Sequence, residues 1–222
     1  MKKLLTILAA LTLTAPVVAE PEIKDNEWKT LHSMGCMLLR ECTEDVKEVF
    51  SLLDVSSNYD NTEEFTPVTL EFNNMLMSLN QVGVKVFLAD DRYFPPMHRG
   101  VYHTVSNNFF LNKKYMDDPG TLMMVMRHEG WHAAQDCMAG SIKNNMIAII
   151  HNEEDVPIIW RVMAERTYPK SAVPWEAEAG WAGRTEGMTM KALQSCAAGT
   201  MWEDYELTPL TRKWLKEEGY LK

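Results

Sequence analysis

Residues 117–140 of this 222-residue chain read DDPGTLMMVMRHEGWHAAQDCMAG, a stretch with clear signals for the start and the end of a helix. One of the two aspartates can cap the first turn, and Pro119 follows at a position where its missing N–H is not needed. Gly140 can end the helix, because glycine is the preferred residue just after a helical C-terminus. We therefore expect a helix from Pro119 to about Ala139.

The segments on either side of this helix indicate the fold class. Apolar residues at helical spacing predict helices, and β-branched residues in alternation predict strands. The predicted elements are helix 28–53 (with a second cap at Thr43-Glu44-Asp45), loop 56–67, helix 68–79, strand 84–89, loop 90–100, hairpin strands 101–105 and 109–111, and helices 141–150, 154–166, 175–198 and 208–217. Helices, a small antiparallel or mixed sheet, and more helices make a mainly helical α+β fold.

The N-terminus has the layout of a secretory signal peptide. A short basic start precedes a run of apolar and threonine residues, 4–18, which ends at the small residue Ala19. This run is shorter than the roughly 20 residues that cross a bilayer, and Pro16 interrupts it. We therefore expect cleavage after Ala19, export to the periplasm or beyond, and one folded domain of residues 20–222. The alternative reading of this segment is a membrane anchor.

The composition excludes some classes of function. The formal net charge is −9, and removal of the basic N-terminus makes the remaining chain more acidic. Proteins that bind nucleic acids need a basic face for the phosphates, so no nucleic-acid partner is expected. The hydrophobic fraction of 46% is sufficient for a packed core and too high for a disordered chain.

The chain contains four cysteines, an even number, and export would expose them to an oxidising compartment. Two disulfides are therefore predicted, and three pairings are open. If one helix runs through Cys36 and Cys42, which are six residues apart, their side chains lie on different faces. This favours cross-links from these two residues to Cys137 and Cys196. The alternative is four buried thiols.

The predicted helix of residues 119–139 contains His128-Glu129-Gly130-Trp131-His132, an H-E-x-x-H motif. Residues i and i+4 lie on one helical face, so both imidazoles can bind one metal ion. Glu129 lies beside them, where it can take a proton from a water on the metal. Zinc suits these residues because it accepts nitrogen and carboxylate ligands and keeps a position for water. The alternative is a pair of buried, hydrogen-bonded histidines.

A catalytic zinc ion needs a third protein ligand. The downstream candidates are His151, Glu153, Glu154, Asp155, Glu165, Glu176 and Glu178. Residues 174–180, PWEAEAG, place two of these carboxylates among small residues at the start of a predicted helix. Small neighbours would allow this helix to pack closely against the first. The alternative is a solvated turn whose carboxylates complement the helix dipole.

H-E-x-x-H followed some tens of residues later by E-x-E-A resembles the gluzincin class of zinc metallopeptidases, in particular their compact, single-domain, minigluzincin-like members. The similarity covers about residues 84–182. It includes Gly100-Val101-Tyr102 and Asn108-Phe109-Phe110-Leu111-Asn112, which look like the strands before the active-site helix. The resemblance implies a zincin-like fold, a bound zinc ion, and a peptide or protein as the substrate.

The resemblance also bears on the third ligand. In gluzincins the zinc-binding glutamate has a small residue three positions on and an Asp or Asn four positions on. Glu176 is followed at these positions by Ala179 and Gly180, whereas Glu178 is followed by the larger Trp181 and by Ala182. The resemblance thus implies Glu176 as the ligand, with Glu178 as the alternate. Because Gly180 is not an acid, another group must orient the histidines, and Asp136 is a local candidate.

Peptide hydrolysis further needs a donor to the oxyanion that forms at the scissile carbonyl. Tyr168, Tyr205 and His151 are the candidates, and Tyr168, eight residues before Glu176, is the first choice. An amphipathic surface tyrosine is the alternative reading. His103 and the 101–111 hairpin are expected to form a wall of the cleft, where an edge strand would pair with an extended peptide.

The sequence thus predicts an exported zinc metallopeptidase in which zinc is held by His128, His132 and Glu176, and Glu129 is the general base. The motif itself indicates zinc hydrolase chemistry, and the peptide substrate comes from the resemblance. One alternative is an exported binding or assembly protein of the same fold with a degenerate site. Another is a disulfide-linked interaction domain without a metal.

Overall fold

The computed structural model describes residues 31–140 and 146–222. The predicted signal peptide, residues 1–19, lies outside the described residues. The α-helices are α1 (Leu31–Leu38), α2 (Leu52–Ser56), α3 (Thr69–Gln81), α4 (Pro119–Met138), α5 (Ile158–Thr167), α6 (Val173–Gly183), α7 (Met188–Ala198), α8 (Met201–Asp204) and α9 (Pro209–Glu217). The strands are β1 (Val46–Glu48), β2 (Lys85–Ala89), β3 (Gly100–His103) and β4 (Asn108–Asn112). Helices with a small sheet confirm the predicted α+β class.

Within the described residues, the strands form a mixed sheet in the order β1-β2-β4-β3. Strands β2 and β4 are parallel, whereas β1 and β3 run antiparallel to their neighbours. The predicted strand at 84–89 and the predicted hairpin are both present. Strand β4 is buried along its whole length, and β3 lies at the edge of the sheet, next to α4.

Helix α4 forms where the sequence predicted it. The Asp118 carboxylate accepts a hydrogen bond of 2.6 Å from the N–H of Thr121, and Pro119 occupies the first turn. The helix ends at Met138, just before Gly140. Most of its residues are buried, because α3, α6, α7 and β3 all pack against it. It therefore lies at the centre of the fold, and its side chains meet every neighbouring layer.

The prediction of a single helix over residues 28–53 is wrong for most of its described part. Helix α1 ends at Leu38, and the chain reverses through Arg40 and Asp45, whose φ angles are 59° and 57°. Strand β1 follows, with Val46 opposite Ala89 of β2. Pairing with an open sheet edge has outweighed the helical spacing of the apolar residues, as tertiary context often does. The second cap expected at residues 43–45 is absent for the same reason.

The cysteines pair as Cys36–Cys42 and Cys137–Cys196, so the predicted cross-links between the N-terminal segment and the later cysteines are wrong. That prediction assumed one helix through Cys36 and Cys42. Because α1 ends between them and the chain turns back, their Cα atoms are only 5.2 Å apart. Both disulfides are consistent with an oxidising, exported environment. Among residues 31–140 and 146–222, no helix has the length and apolar character needed to cross a bilayer.

The predicted helix 141–150 is also wrong where it can be compared. Residues 141–145 lie outside the described residues, and residues 146–150 are not helical. The N–H of Ala148 donates to the carbonyl of Gln135 at 2.9 Å, and the N–H of Ile150 donates to the carboxylate of Glu178. These backbone groups are satisfied by distant partners, so the segment does not need helical hydrogen bonds.

Other predicted boundaries shift for local reasons. Helix α5 begins at Ile158, after Pro157, and not at residue 154. The helix predicted over 175–198 is two helices, α6 and α7, because the chain turns at Gly187, whose φ is +78°. The predicted loop 56–67 contains most of a 3₁₀ helix, Thr62–Val68. The predicted helices 68–79 and 208–217 are confirmed as α3 and α9.

A buried hydrogen bond joins β3 to α4. The hydroxyl of Tyr102 donates to Oδ2 of Asp136 at 2.7 Å. Asp136 is fully buried, and its Oδ1 atom has no hydrogen-bond partner among the described residues. Burial raises the pKa of Asp136 to about 7, although the Tyr102 bond opposes that shift. The folded protein therefore holds this proton over a pH range in which the unfolded chain releases it.

The free energy of unfolding should fall as pH rises through that range. The pKa of Asp136 is higher in the folded state than in the unfolded chain. Between its ordinary pKa and about pH 7, a rise in pH ionises this carboxyl only in the unfolded chain and therefore favours unfolding. Between about pH 5 and pH 8.5 the free energy of unfolding of the parent protein should fall by about 3 kcal/mol more than that of an Asp136→Asn variant. Urea unfolding at both pH values, with disulfides intact, measures the difference. Asp60→Asn, at an exposed site, is the control and should follow the parent.

Candidate metal centre

The structure brings together His128, His132 and Glu176, three of the residues that the sequence marked as ligands. One ligand atom from each lies within 4.8 Å of the others, and within the described residues no second group of this kind occurs. Oε2 of Glu176 is 3.3 Å from Nε2 of His128 and 3.7 Å from Nε2 of His132. The two histidines project from one face of α4, and Glu176 projects from the first turn of α6. This group could hold a metal ion.

The spacing suits a tetrahedral ion. Nitrogen and oxygen ligands lie about 2.1 Å from such an ion, so two of them are roughly 3.4 Å apart. Oε2 of Glu176 is buried, and it has no hydrogen-bond partner among the described residues. A buried carboxylate oxygen without such a partner is costly unless another group compensates its charge. A cation between this oxygen and the two imidazoles would do so.

The two sides of the group shift each other's pKa. Burial lowers the pKa of His132, but the Glu176 carboxylate outweighs burial and raises that pKa to about 9. Burial likewise disfavours the charged form of Glu176, but the nearby imidazoles outweigh it and hold the pKa of Glu176 well below its usual range. Because a metal binds neutral imidazole, a metal ion and protons compete for this site.

Glu129 lies between α4 and the edge strand β3. It is mostly buried, and its Oε2 accepts a hydrogen bond of 2.9 Å from the backbone N–H of Tyr102. In the β3–β4 pair, Tyr102 stands opposite Phe109, and its N–H points away from β4 toward α4. The carboxylate next in sequence to His128 is therefore held in place by an edge-strand amide.

Gln135 is a site residue that the sequence reasoning missed. Its Oε1 lies 2.8 Å from Nδ1 of His132, on the opposite side of the ring from Glu176. The signal that could have found it is spacing, because Gln135 follows His132 by three residues and so shares its helical face. Asp136, the local candidate for orienting the histidines, instead accepts the hydrogen bond of Tyr102.

Of the two glutamates that the sequence left open, Glu176 lies beside the histidines and Glu178 lies elsewhere. The Glu178 carboxylate is buried and accepts hydrogen bonds from N–H groups of α4 and of the segment after it, those of Trp131, Gln135, Ile150 and His151. Burial raises the pKa of Glu178 to about 7, and these donors oppose the shift. Glu178 thus has a full set of protein partners without a metal.

The three candidates for the oxyanion donor lie in two places. Tyr168 directly follows the last residue of α5, and its pKa is raised by burial and by the nearby carboxylates of Glu176 and Glu129. His151 and Tyr205 lie together, with ring centroids 6.0 Å apart. The His151 ring also stacks on Trp131, and burial lowers its pKa. Tyr168 is therefore the candidate whose hydroxyl interacts with the acidic residues of the site.

Close packing of α6 on α4 sets the position of Glu176. A Cβ atom on Gly183 would lie 3.1 Å from the carbonyl oxygen of Met124 and 3.3 Å from Cβ of His128. Both contacts are tighter than ordinary van der Waals separation, so a side chain at this position would require its neighbours to shift by a few tenths of an ångström. The small residues Ala179 and Ala182 on the same helix are fully buried. The predicted close contact between the two helices is present.

Comparison of the chain with protein-family models, with curated proteins and with solved structures finds no match in any of the three. A function must therefore be argued from the geometry and chemistry of the site. The resemblance to gluzincins stays a prediction that rests on the H-E-x-x-H and E-x-E-A motifs and on the two predicted strands before them.

Replacing Gly183 with alanine should push α6 away from α4 next to His128. We expect a loss of about 1–3 kcal/mol in the free energy of unfolding, as is usual for overpacking, and weaker metal binding. Urea unfolding of the metal-free protein and chelator competition with zinc measure the two effects. In the control Gly35→Ala, the added Cβ meets no atom within 4 Å, so zinc affinity should match that of the parent, and the free energy of unfolding should not fall and can rise by up to about 1 kcal/mol, since Gly35 lies inside α1.

Removal of the Glu176 carboxylate should weaken zinc binding by at least about 100-fold, since it removes a direct ligand. Chelator competition on Glu176→Ala measures the loss, and Glu165→Ala, at an exposed position of α5, is the matched control. Equal zinc affinity in the Glu176→Ala variant and the parent would contradict the assignment of Glu176 as a ligand.

Proposed function

We propose that this protein is an exported, zinc-dependent peptidase that resembles the gluzincins. The observation that carries the proposal is the convergence of His128 and His132 from α4 with Glu176 from α6. Glu129 stands next to the first histidine in sequence and is held beside the group by Tyr102. Two neutral nitrogens and one carboxylate oxygen are a ligand set typical of catalytic zinc sites.

The metal and the protein have separate tasks in this proposal. A bound zinc ion polarises the substrate carbonyl and lowers the pKa of a water molecule. The imidazole nitrogens of His128 and His132 and Oε2 of Glu176 would hold the ion. The side chains of His128 and Glu176 keep about a fifth of their surface exposed, so the site is open to solvent and substrate.

Glu129 moves the protons. Its carboxylate accepts a proton from the attacking water and then passes that proton to the nitrogen of the leaving amine. The N–H of Tyr102 holds Oε2, which leaves Oε1 available for the water. Proton transfer by a positioned side chain contributes about 10²- to 10⁴-fold to a rate.

Two further elements would bind the substrate. The hydroxyl of Tyr168, near the carboxylates of Glu176 and Glu129, can donate to the oxyanion at the scissile carbonyl. Strand β3 is an edge strand next to α4, and because the N–H of Tyr102 already donates to Glu129, an extended peptide would pair with the other outward backbone groups of the strand. His103 ends this strand and is held by Ser106, whose Oγ is 2.8 Å from its Nδ1.

A protein that binds zinc and a peptide without cleaving it is the second candidate. The observation that favours it is Gly180, which stands where gluzincins are expected to have an acid that orients a histidine. The presence of Glu129 beside the metal group favours turnover. Two disulfides and the predicted signal peptide are compatible with export in either case.

Replacing Glu129 with glutamine should separate these functions. The amide cannot accept the proton, so hydrolysis of fluorescent casein or of a peptide library should fall by at least about 100-fold. Zinc content should stay at one equivalent, because Glu129 is not among the three ligands. Glu154→Gln, at an exposed position, is the matched control and should keep full activity.

The same experiment distinguishes the alternatives. A parent protein with less than about a tenth of an equivalent of zinc would contradict the proposal, since such ligands bind zinc tightly. A parent that binds zinc but cleaves no member of the library would favour the binding protein. Unchanged activity in Glu129→Gln would mean that another group accepts the proton.

A further inference from the structure

We infer that Gln135 and Glu178 are positioning residues that fix the tautomer and the orientation of His132 for metal binding. The inference rests on the proposed metal site and adds residues that the H-E-x-x-H motif does not include. A continuous line of hydrogen bonds runs from Nδ1 of His132 to the amide of Gln135 and on to the carboxylate of Glu178. All three side chains are buried.

The contacts of Gln135 fix which way its amide group points. Its Nε2 donates to Oε2 of Glu178 at 2.7 Å and to the backbone carbonyl of Trp175 at 3.1 Å. A backbone carbonyl can only accept, so the amide nitrogen must face that side. The amide oxygen is therefore the atom that lies 2.8 Å from Nδ1 of His132.

This orientation determines the tautomer of the histidine. An amide oxygen accepts hydrogen bonds and cannot donate, so Nδ1 of His132 must carry the proton. In the neutral ring, Nε2 then has the free lone pair, and Nε2 is the atom that faces Glu176. Metal-binding histidines usually have such an acceptor on the other ring nitrogen, and its loss commonly weakens metal binding by about 10- to 100-fold.

Glu178 gives the line a fixed end. Its Oε1 accepts from the backbone N–H groups of Ile150 and His151, and its Oε2 accepts from Nε1 of Trp131 at 3.2 Å. Because these groups belong to two separate parts of the chain, the carboxylate cannot rotate without breaking hydrogen bonds in both. Gln135 therefore receives its orientation from the packed core and transmits it to His132.

The test replaces Gln135 with methionine, which has a similar length but cannot accept the proton of Nδ1 or donate to Glu178. Gln194→Met, at an exposed position of α7, is the matched control. Zinc affinity is measured by chelator competition. Proton–nitrogen NMR of the histidine rings in the zinc-loaded protein follows the Nδ1–H of His132, and the ring signals of His128 serve as an internal reference.

We expect Gln135→Met to bind zinc about 10- to 100-fold more weakly than the parent and to lose the exchange-protected Nδ1–H signal of His132. The signals of His128 should stay unchanged, which a general loss of folding would not produce. If the methionine variant does not fold, Gln135→Ala serves instead, because alanine removes the amide without adding a side chain that must be packed, and it leaves the same three donors to Glu178 in place.

The outcomes separate this inference from the proposed function. A parent protein that fails to bind zinc would overturn the metal site and this role together. A parent that binds zinc, with equal affinity and an unchanged Nδ1–H signal in the Gln135 variant, would overturn only the positioning role. Selective loss of the His132 signal with weaker binding supports it.

Discussion

The hydrogen bonds to the buried carboxylate of Glu178 are the interaction on which the rest of this structure depends. Glu178 lies on α6, and its hydrogen-bond donors come from α4 and from the segment after it, Trp131, Gln135, Ile150 and His151. Burying a carboxylate and several N–H groups is costly unless each finds a partner. The elements therefore have to meet at this point, and the same meeting brings Glu176, two residues earlier on α6, to the histidines of α4.

Helix α4 distributes its polar side chains among three environments. The first environment is that of His128 and His132, which face Glu176. In the second, Glu129 and Asp136 both accept hydrogen bonds from Tyr102 of the edge strand. In the third, Gln135 connects His132 to Glu178. Such a helix needs polar groups at many buried positions, and each is acceptable only because a neighbouring layer supplies a partner. The candidate metal group and the hydrophobic core are consequently built in part from the same turns of α4.

The parts of the fold that the sequence predicted depend on local signals. The Asp cap and Pro119 define the start of α4, and β-branched residues define β2. The predictions that were wrong failed because of contacts between residues distant in sequence. Strand β1 forms because β2 offers an open edge. Residues 146–150 are not helical, because backbone N–H groups in this segment donate to the Glu178 carboxylate and the Gln135 carbonyl. In the site, spacing indicated His128, Glu129 and His132, and the family resemblance indicated Glu176. Gln135 lies only three residues after His132, but its second partner, Glu178, is distant in sequence, so its part in the site was missed.

The Cys137–Cys196 disulfide closes a covalent loop that includes the acidic residues of α6. The loop starts on α4 five residues after His132, spans a separation of 59 residues, and contains both Glu176 and Glu178. By the chain-entropy account, closing a loop of this size destabilises the unfolded chain by about 4 kcal/mol. This contribution is present before any ion arrives. During folding, the disulfide thus restricts the conformational search that brings Glu176 to His128 and His132, so the order of the metal-free protein need not come from a metal.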